Sequence, residues 1–225
     1  MSSGKKKRVI AIDGPAGAGK STTARLVAKR LGFLYLDTGA MYRALALKIL
    51  ERGVNPNSSG PVGKLLEETE IEVVSRKGNC RVKLDGKIVA GKIRTPRVER
   101  IVSRVASYQG VRNKMAKAQR ALARKGNLVL EGRDTTTVVF PDADLKVYLT
   151  AGLDERAKRK VKAKGLKSGE LGKVRHELSR RDRLDSRRRF GPLRKAKKMV
   201  EIDTTRLSIP KQVQLVVDAY RSRVN

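Results

Sequence analysis

The sequence has few of the residues on which disulfide, zinc and base-stacking chemistry depend. Its 225 residues contain one cysteine, Cys80, one histidine and no tryptophan, and aromatic residues make up 4%. One thiol cannot form an internal disulfide, and one cysteine with one histidine is too small a ligand set for a zinc site. We therefore expect a reducing, cytoplasmic environment. Platforms on which nucleic-acid bases could stack are also sparse.

Long apolar runs are missing as well. No run approaches the roughly 18 residues of a membrane span, and residues 1–8 form a basic tail with no adequate signal-peptide region after it. We expect no membrane partner. With 39% hydrophobic residues, the chain can nevertheless bury a core of one or two domains.

Acidic residues are scarce relative to basic ones. The chain has 53 Lys and Arg against 22 Asp and Glu, a net charge of +31. Such an excess is typical of a nucleic-acid-binding surface, but it also suits a small polyanionic substrate bound by a generally basic protein. Charge alone leaves both interpretations open.

A glycine-rich segment is the strongest motif. It follows the apolar run 9–12, precedes a helical pattern, and matches G-x-x-x-x-G-K-[ST] at every fixed position. Its glycines allow a tight turn that points N–H groups at phosphates, Lys20 is placed to reach the β- and γ-phosphates, and Ser21 to ligate Mg²⁺. A purely structural glycine loop is the alternative, which the context disfavours. The predicted ATP-binding residues are Gly14, Pro15, Ala16, Gly17, Ala18, Gly19, Lys20, Ser21 and Thr22.

Apolar strand-like runs alternate with helical patterns along most of the chain. The runs are 9–12, 33–36, 128–130, 145–149 and 199–202, and the helical patterns include 40–51, 98–107, 111–124 and 211–221. This alternation predicts an α/β fold with an open, parallel five-stranded sheet flanked by helices. Polar residues at the carboxyl ends of those strands are expected to line the ligand site.

One stretch departs from that alternation. Residues 71–75, 80–84 and 87–90 are short and β-rich, and turn signals separate them, which predicts a small antiparallel insertion. The segment 55–61 before it, rich in Asn, Pro and Ser, is predicted to be a loop.

Polar residues after the second and third predicted strands suit phosphate binding. Thr38 is expected to cap a helix starting at Gly39, and Arg43 then lies one turn into that helix. Arg133 and Asp134 suit a phosphate clamp and an acceptor for sugar hydroxyls. A surface arginine at Arg43 and a local ion pair at 133–134 remain alternatives.

Residues 151–200 are especially basic. Arg156 and Arg159 follow the fourth predicted strand, and spacings of three and four residues place Arg181, Asp185 and Arg188 on one helical face. Arginines on a mobile segment near a γ-phosphate can neutralise charge during phosphoryl transfer. A solvated basic helix is the alternative.

Taken together, these motifs resemble those of the bacterial cytidylate kinases, which are nucleoside monophosphate kinases of the phosphate-loop class. The resemblance runs from about residue 9 to 223 and is carried in order by segments 12–22, 37–43, 93–95, 103–112, 131–134, 138–143, 181–188, 192–193 and 202–205. It implies transfer of the ATP γ-phosphoryl group to CMP or dCMP, with Mg²⁺, in pyrimidine metabolism. It also implies one kinase domain over 9–225, with a core at 9–55, 126–150 and 190–225, a monophosphate-binding insertion at 56–125 and a helical lid at 151–189.

The resemblance implies roles for individual residues. It assigns the acceptor monophosphate to Arg43 and Arg133, and the cytosine ring to Ser103, Arg112 and Arg188. Asp134 would contact the sugar hydroxyls. The implied CMP-binding set is Thr38, Tyr42, Arg43, Ser103, Arg112, Arg133, Asp134, Arg181, Asp185 and Arg188. The implied catalytic set is Lys20, Arg133, Arg156 and Arg159.

The chain departs from the family pattern at Thr136, where the family usually has glycine. If that backbone needs a positive φ, Thr136 is strained. Two rival functions stay open: a kinase for another monophosphate or small metabolite, and a nucleic-acid-binding phosphate-loop protein. We expect a monomer that acts on small nucleotides, with no specific nucleic-acid binding despite the charge.

Overall fold

The computed structural model describes residues 7–76 and 78–224, and they form one sheet with helices on both faces. The strands are β1 (Val9–Asp13), β2 (Leu34–Asp37), β3 (Ile71–Arg76), β4 (Asn79–Leu84), β5 (Lys87–Ile88), β6 (Leu128–Gly132), β7 (Leu145–Thr150) and β8 (Val200–Asp203). Their order is β3-β4-β2-β6-β1-β7-β8, with β5 paired to β4. Strands β2, β6, β1, β7 and β8 pair in parallel, so the predicted five-stranded parallel sheet is confirmed.

Eight helices cover the sheet in the described residues. They are α1 (Lys20–Leu31), α2 (Thr38–Glu51), α3 (Ser59–Glu67), α4 (Pro96–Val105), α5 (Gln109–Ala123), α6 (Leu153–Lys164), α7 (Leu171–Ser186) and α8 (Ile209–Val224). Strands β1 and β6 are buried at every position, as continuous apolar runs in the middle of a parallel sheet should be. Their carboxyl ends bring Asp13 and Glu131 to the same edge of the sheet.

The start of α2 differs from the prediction. Asp37, not Thr38, caps this helix: its carboxylate accepts a hydrogen bond from the Ala40 N–H at 3.1 Å. Thr38 is already helical, and its hydroxyl donates instead to the Glu131 carbonyl at 2.8 Å. Both residue types are good caps, and the sequence does not show which of two neighbours faces the helix end.

The antiparallel insertion is confirmed, since β3 pairs antiparallel with β4 and β4 with β5. Tyr35 of β2 pairs in parallel with Asn79 of β4, so the insertion extends the main sheet. The loop prediction for 55–61 is wrong at its end, because α3 starts at Ser59. Pro61 lies in the first turn of α3, where its missing N–H costs nothing, and Val62, Leu65 and Leu66 are buried.

The segment predicted as a lid folds as two antiparallel helices with a small core of their own. Ala157 of α6 packs with Val174 and Leu178 of α7 and with Ala16 of the glycine-rich loop. At the other end of the chain, six of the eight residues of the predicted basic tail lie outside the described range, and Arg8 is anchored to Asp144 at 2.7 Å. Across 7–76 and 78–224, no helix is long and apolar enough to cross a membrane.

Candidate active site

The glycine-rich loop joins β1 to α1 and has a backbone that only glycine adopts easily. Gly14 has φ +150°, and a Cβ there would lie 1.9 Å from the Leu149 carbonyl oxygen. Gly17 and Gly19 also have positive φ, at 82° and 89°. Such a loop leads directly into the N-terminus of α1, where unpaired N–H groups and the helix dipole favour phosphate.

Lys20 is the first residue of α1 and is only 5% exposed. Its ammonium group donates to the Pro15 carbonyl at 2.8 Å. Burial lowers the pKa of Lys20, and the nearby Arg133 guanidinium lowers it further. The Glu131 and Asp13 carboxylates oppose this lowering without cancelling it, and a polyphosphate placed between Lys20 and Arg133 would add the negative charge that favours the ammonium form.

Ser21 carries the oxygen predicted to meet a metal ion. Its hydroxyl donates to the Glu131 carboxylate at 2.7 Å, and Asp37 lines the same cleft. Burial raises the pKa of Glu131, and the neighbouring Asp37 carboxylate raises it as well. Hydroxyl, carboxylate and phosphate oxygens are the ligands that Mg²⁺ prefers, so this donor set fits.

Asp13, at the end of β1, accepts four hydrogen bonds from two threonines. Thr135 donates through its N–H at 3.0 Å and its hydroxyl at 2.7 Å, and Thr136 does so at 2.8 and 2.7 Å. The condition under which Thr136 would be strained is not met: among the described non-glycine residues only Asp85 and Lys198 have positive φ. Residues 135–139 form a π-helical turn, which threonine tolerates.

A single cleft brings together all the residues predicted to bind the acceptor. It is lined by Thr38, Tyr42, Arg43, Ser103, Arg112, Arg133, Asp134, Arg181, Asp185 and Arg188, and also by Lys20 and Ser21. These residues come from α1, α2, α4, α5 and α7 and from the turns that follow β6 and α7. The cleft therefore joins the glycine-rich loop to a group of arginines.

Asp185 is the centre of that group. Its carboxylate accepts from Arg133 Nε at 2.9 Å and from Ser103 Oγ at 3.1 Å, and it also pairs with Arg188. Burial alone would raise the pKa of Asp185, but Arg133, Arg188 and Arg181 together hold it below its ordinary value. One ionised carboxylate thus positions several arginines around the cleft.

A second ion pair, between Arg112 and Asp134, forms the floor of the cleft. Both side chains are buried, and Arg112 also donates to the Ala106 carbonyl at 2.9 Å. The chain after α7 passes close over this pair at Gly191. Any other residue there would clash, because its Cβ would lie 2.3 Å from Arg112 Nε. The pair fixes the direction of both side chains before any ligand binds.

Several donors of the arginines that line the cleft are buried without a hydrogen-bond partner in the described residues. They are the Nε atoms of Arg43, Arg112, Arg181 and Arg188. A buried N–H without an acceptor costs free energy, about 1–3 kcal/mol. Four such donors around one cleft suit an anionic or acceptor-rich ligand, and a nucleotide provides both kinds of group.

The two remaining predicted residues lie behind the glycine-rich loop. Arg156 is buried, donates to the Ala16 carbonyl at 3.2 Å and pairs with Asp182 at 2.6 Å. Arg159 donates to the Thr204 hydroxyl at 3.0 Å. The structure therefore places both arginines beside the phosphate loop and outside the acceptor cleft.

Sequence reasoning assigned no individual role to three residues that the structure places here. Arg94 lines the cleft and shares the Asp37 carboxylate with Arg43, at 2.9 and 2.7 Å. Asp13 and Glu131 belong to the polar residues at strand ends that were expected to line the ligand site, without a more specific role. Their partners are more than 100 positions away in the chain, so no local pattern could reveal them.

The comparison with known families identifies the family of the chain. A sequence model of the family described as cytidylate kinase matches residues 10–222. The chain belongs to the cytidylate kinase family. The family and the class of ATP-dependent nucleoside monophosphate kinase predicted from the motifs are thereby confirmed.

Individual relatives of the cytidylate kinase family match over nearly their whole length. A cytidylate kinase from Halalkalibacterium halodurans is 46% identical over 222 residues, covering 97% of this chain and all of that protein. One from Bacillus pumilus is 45% identical and covers 96% of each. A crystal structure of an uncharacterized protein from Eubacterium ventriosum shares the fold alone, with a TM-score of 0.53 and 11% identity over 96% of this chain and 100% of that one.

Proposed function

We propose that this kinase transfers the γ-phosphoryl group of ATP to CMP or dCMP, giving ADP and CDP or dCDP. The observation that carries the proposal is the single cleft lined by Lys20 of the phosphate loop and by the arginines around Asp185. A donor polyphosphate on the loop and an acceptor monophosphate on Arg43 and Arg133 would face each other there. Relatives that carry the name cytidylate kinase support the choice of acceptor.

In this proposal the chemistry rests on positioning and on charge. An oxygen of the acceptor phosphate attacks the γ-phosphorus, a new P–O bond forms, and the bond to the β-phosphate oxygen breaks, leaving ADP. Phosphate monoesters lose their second proton near pH 6, so the attacking oxygen needs no general base at neutral pH. Lys20 and the loop N–H groups hold the donor phosphates, and Arg133 neutralises charge between donor and acceptor.

Ser21 would ligate Mg²⁺ together with the ATP phosphates, with the Glu131 and Asp37 carboxylates nearby to accept from its water ligands. When bound, the ion draws charge from the phosphoryl group during transfer. In the described residues no three Asp, Glu, His or Cys side chains are grouped to hold a metal by themselves. Metal binding is therefore expected to depend on the nucleotide.

Ser103, Arg112 and Arg188 would read the base. Cytosine presents acceptors at N3 and O2, and the Nε of Arg188 is a donor without a hydrogen-bond partner in the described residues. Uracil presents a donor at N3, which these arginines would leave unpaired. Arg181, Asp185 and Asp134 would contact the pentose side, with Thr38 and Tyr42 completing the wall of the cleft.

Residues 151–189 would act as a lid over the phosphates, carrying Arg156 and Arg159, and residues 56–125 as the acceptor-binding insertion. Closure would exclude water, which otherwise competes with the acceptor for the γ-phosphoryl group. We propose further that the enzyme works as a cytoplasmic monomer.

The test is ADP release from ATP with CMP, dCMP, UMP and AMP as separate acceptors, measured for the wild type and for Lys20→Ala. We expect CMP and dCMP to be used far better than the others, and Lys20→Ala to lose activity with all acceptors while keeping the wild-type unfolding midpoint. Preferential use of UMP or AMP would overturn the acceptor assignment. Normal turnover by Lys20→Ala would overturn the role of the phosphate loop.

A further inference from the structure

Helix α7 has two opposite faces with different tasks. At 100° per residue, Val174, Leu178 and Asp185 share the face that is buried against α6 and the cleft. The opposite face is exposed, and Lys173, Arg180 and Arg183 lie along it, followed by Arg187 just after the helix. We call Lys173, Arg180, Arg183 and Arg187 the α7 basic face.

The cations of this face are not neutralised. Residues 171–198 contain twelve Lys and Arg but only three acidic residues. Two of these acids point inward, since Asp182 pairs with Arg156 and Asp185 with Arg133. No residue of the α7 basic face forms an ion pair or a side-chain hydrogen bond with any described part of the chain.

The kinase reaction does not account for this arrangement. The face points away from the cleft that holds Arg181 and Asp185, so none of its four cations contacts a nucleotide bound there. Like charges held at helical spacing repel one another and destabilise the helix slightly. An unpaired row of cations therefore suits an anionic partner outside the active site.

We propose that the α7 basic face binds nucleic acid through its phosphate backbone, without preference for sequence. The row from Lys173 to Arg187 spans 14 residues, about 21 Å of helix. That length matches about six base pairs, and each pair carries two phosphates. Arginine, which supplies three of the four cations, binds phosphate through two parallel N–H groups.

Other anionic surfaces fit this face less well. A helix that binds a membrane surface needs an exposed apolar face, whereas α7 buries its apolar residues and exposes only Leu184, at 46%. No Phe, Tyr or Trp lies in α7, so the helix lacks the large aromatic platforms on which unpaired bases stack best. The α7 basic face therefore suits the phosphate backbone of a duplex or otherwise structured nucleic acid best.

The experiment measures binding of the full chain to a labelled RNA duplex of about 20 base pairs, a length that would cover the row with room to slide. Fluorescence anisotropy is recorded at several KCl concentrations. The test variant is K173Q/R180Q/R183Q/R187Q. The control variant, K29Q/R52Q/R124Q/R221Q, removes one Lys and three Arg from exposed positions elsewhere, so both variants lose four charges.

We expect the wild type to bind with an affinity that falls steeply as salt rises. Removing the α7 basic face should weaken binding at least about tenfold near 0.1 M salt and reduce the slope of log K against log salt by about 3. The control variant should change both quantities far less. Saturating ATP and CMP should not displace the RNA, because the face points away from the cleft.

Four results would overturn the proposal. Equal losses in both variants would assign binding to net charge alone, and displacement by ATP with CMP would assign it to the cleft. Anionic lipid vesicles or polyglutamate that bind more tightly than RNA, and lose binding in the test variant, would assign the face to a membrane or an acidic protein. Absence of binding by the wild type would remove the proposal. Both variants should keep the wild-type unfolding midpoint, and R180Q/R183Q serves as a milder test variant.

Discussion

Asp13 and Thr136 are joined by two hydrogen bonds to the same carboxylate oxygen, from the Thr136 N–H at 2.8 Å and its hydroxyl at 2.7 Å. Asp13 ends β1 directly before the phosphate loop, and Thr136 follows Asp134 of the acceptor cleft by two residues. The contact therefore ties the donor side of the site to the acceptor side. Burial raises the pKa of Asp13, while the threonine donors oppose that rise.

Removing the Thr136 hydroxyl should cost stability. Thr136→Val keeps the shape and the N–H but leaves one donor fewer on a buried carboxylate. The loss should be about 1.5–3 kcal/mol, the range for hydrogen bonds to charged groups. Urea unfolding measures it. Thr136→Ser, which keeps the hydroxyl, should lie close to the wild type; an equal loss in the valine and serine variants would contradict a role for this hydrogen bond.

Arg43→Ala and Arg133→Ala should each weaken the acceptor strongly and ATP little. Arg43 donates to the Asp37 carboxylate and Arg133 to the Asp185 carboxylate, so both guanidinium groups are positioned before a ligand binds. Loss of a charge-assisted pair with phosphate should cost about 1.5–3 kcal/mol, seen as a rise in the KM for CMP.

Arg100→Ala is the matched control for these variants, because Arg100 is exposed and does not line the cleft. It should leave both KM values unchanged. If Arg43→Ala and Arg133→Ala raised the KM for ATP and CMP equally, the cause would be a general folding defect and not loss of an acceptor contact.

The lid proposal predicts slower hydrogen exchange in α6 and α7 when ATP and CMP are both present. Only four buried side chains form the small core there, so the segment should open more easily than the main sheet. Ligand phosphates would bridge it to the phosphate loop. The amides of β1 and β6 serve as an internal reference. Slow exchange in α6 and α7 without ligand, unchanged on binding, would argue against closure.

Base selectivity should depend on Arg188. Its Nε is buried without a partner among the described residues, and its guanidinium pairs with Asp185. Arg188→Met should slow CMP turnover much more than UMP turnover, which narrows the ratio between them, because each lost base contact is worth about 1–3 kcal/mol. The exposed Arg189→Met should keep the wild-type ratio. An unchanged ratio in Arg188→Met would show that this side chain does not read the base.

Asp185 should make stability depend on acidic pH. Its arginine partners hold its pKa below the ordinary value against the effect of burial. A carboxyl whose pKa is depressed by folding stabilises the protein above the unfolded pKa, about 3.9, and loses that contribution as pH falls through the folded value.

Asp185→Asn removes that contribution. We expect the variant to be less stable than the wild type near neutral pH and to lose less stability on acidification below about pH 4. Urea unfolding of both proteins across this range measures the difference. Parallel stability curves for the two proteins would show that Asp185 is not the titrating group.

The sequence by itself determined the parallel sheet and the phosphate loop. Short apolar runs such as 128–130 are typical of buried strands when helical patterns flank them, and the glycines before Lys20 permit a tight turn that other residues adopt with difficulty. These are local properties, set by side-chain size, periodicity and backbone freedom. The family followed from the same motifs, in their order along the chain.

Only the tertiary structure decided which polar groups meet. Asp37 and Thr38 are both residue types that cap helices, and packing against β6 placed the Thr38 hydroxyl on the Glu131 carbonyl. Ser103 and Asp185 lie 82 positions apart, yet they share a hydrogen bond in the cleft. Such pairings depend on how the sheet and helices place distant segments. A local sequence pattern does not predict that placement, because the free energy that selects the placement comes from burial and charge interactions across the whole fold.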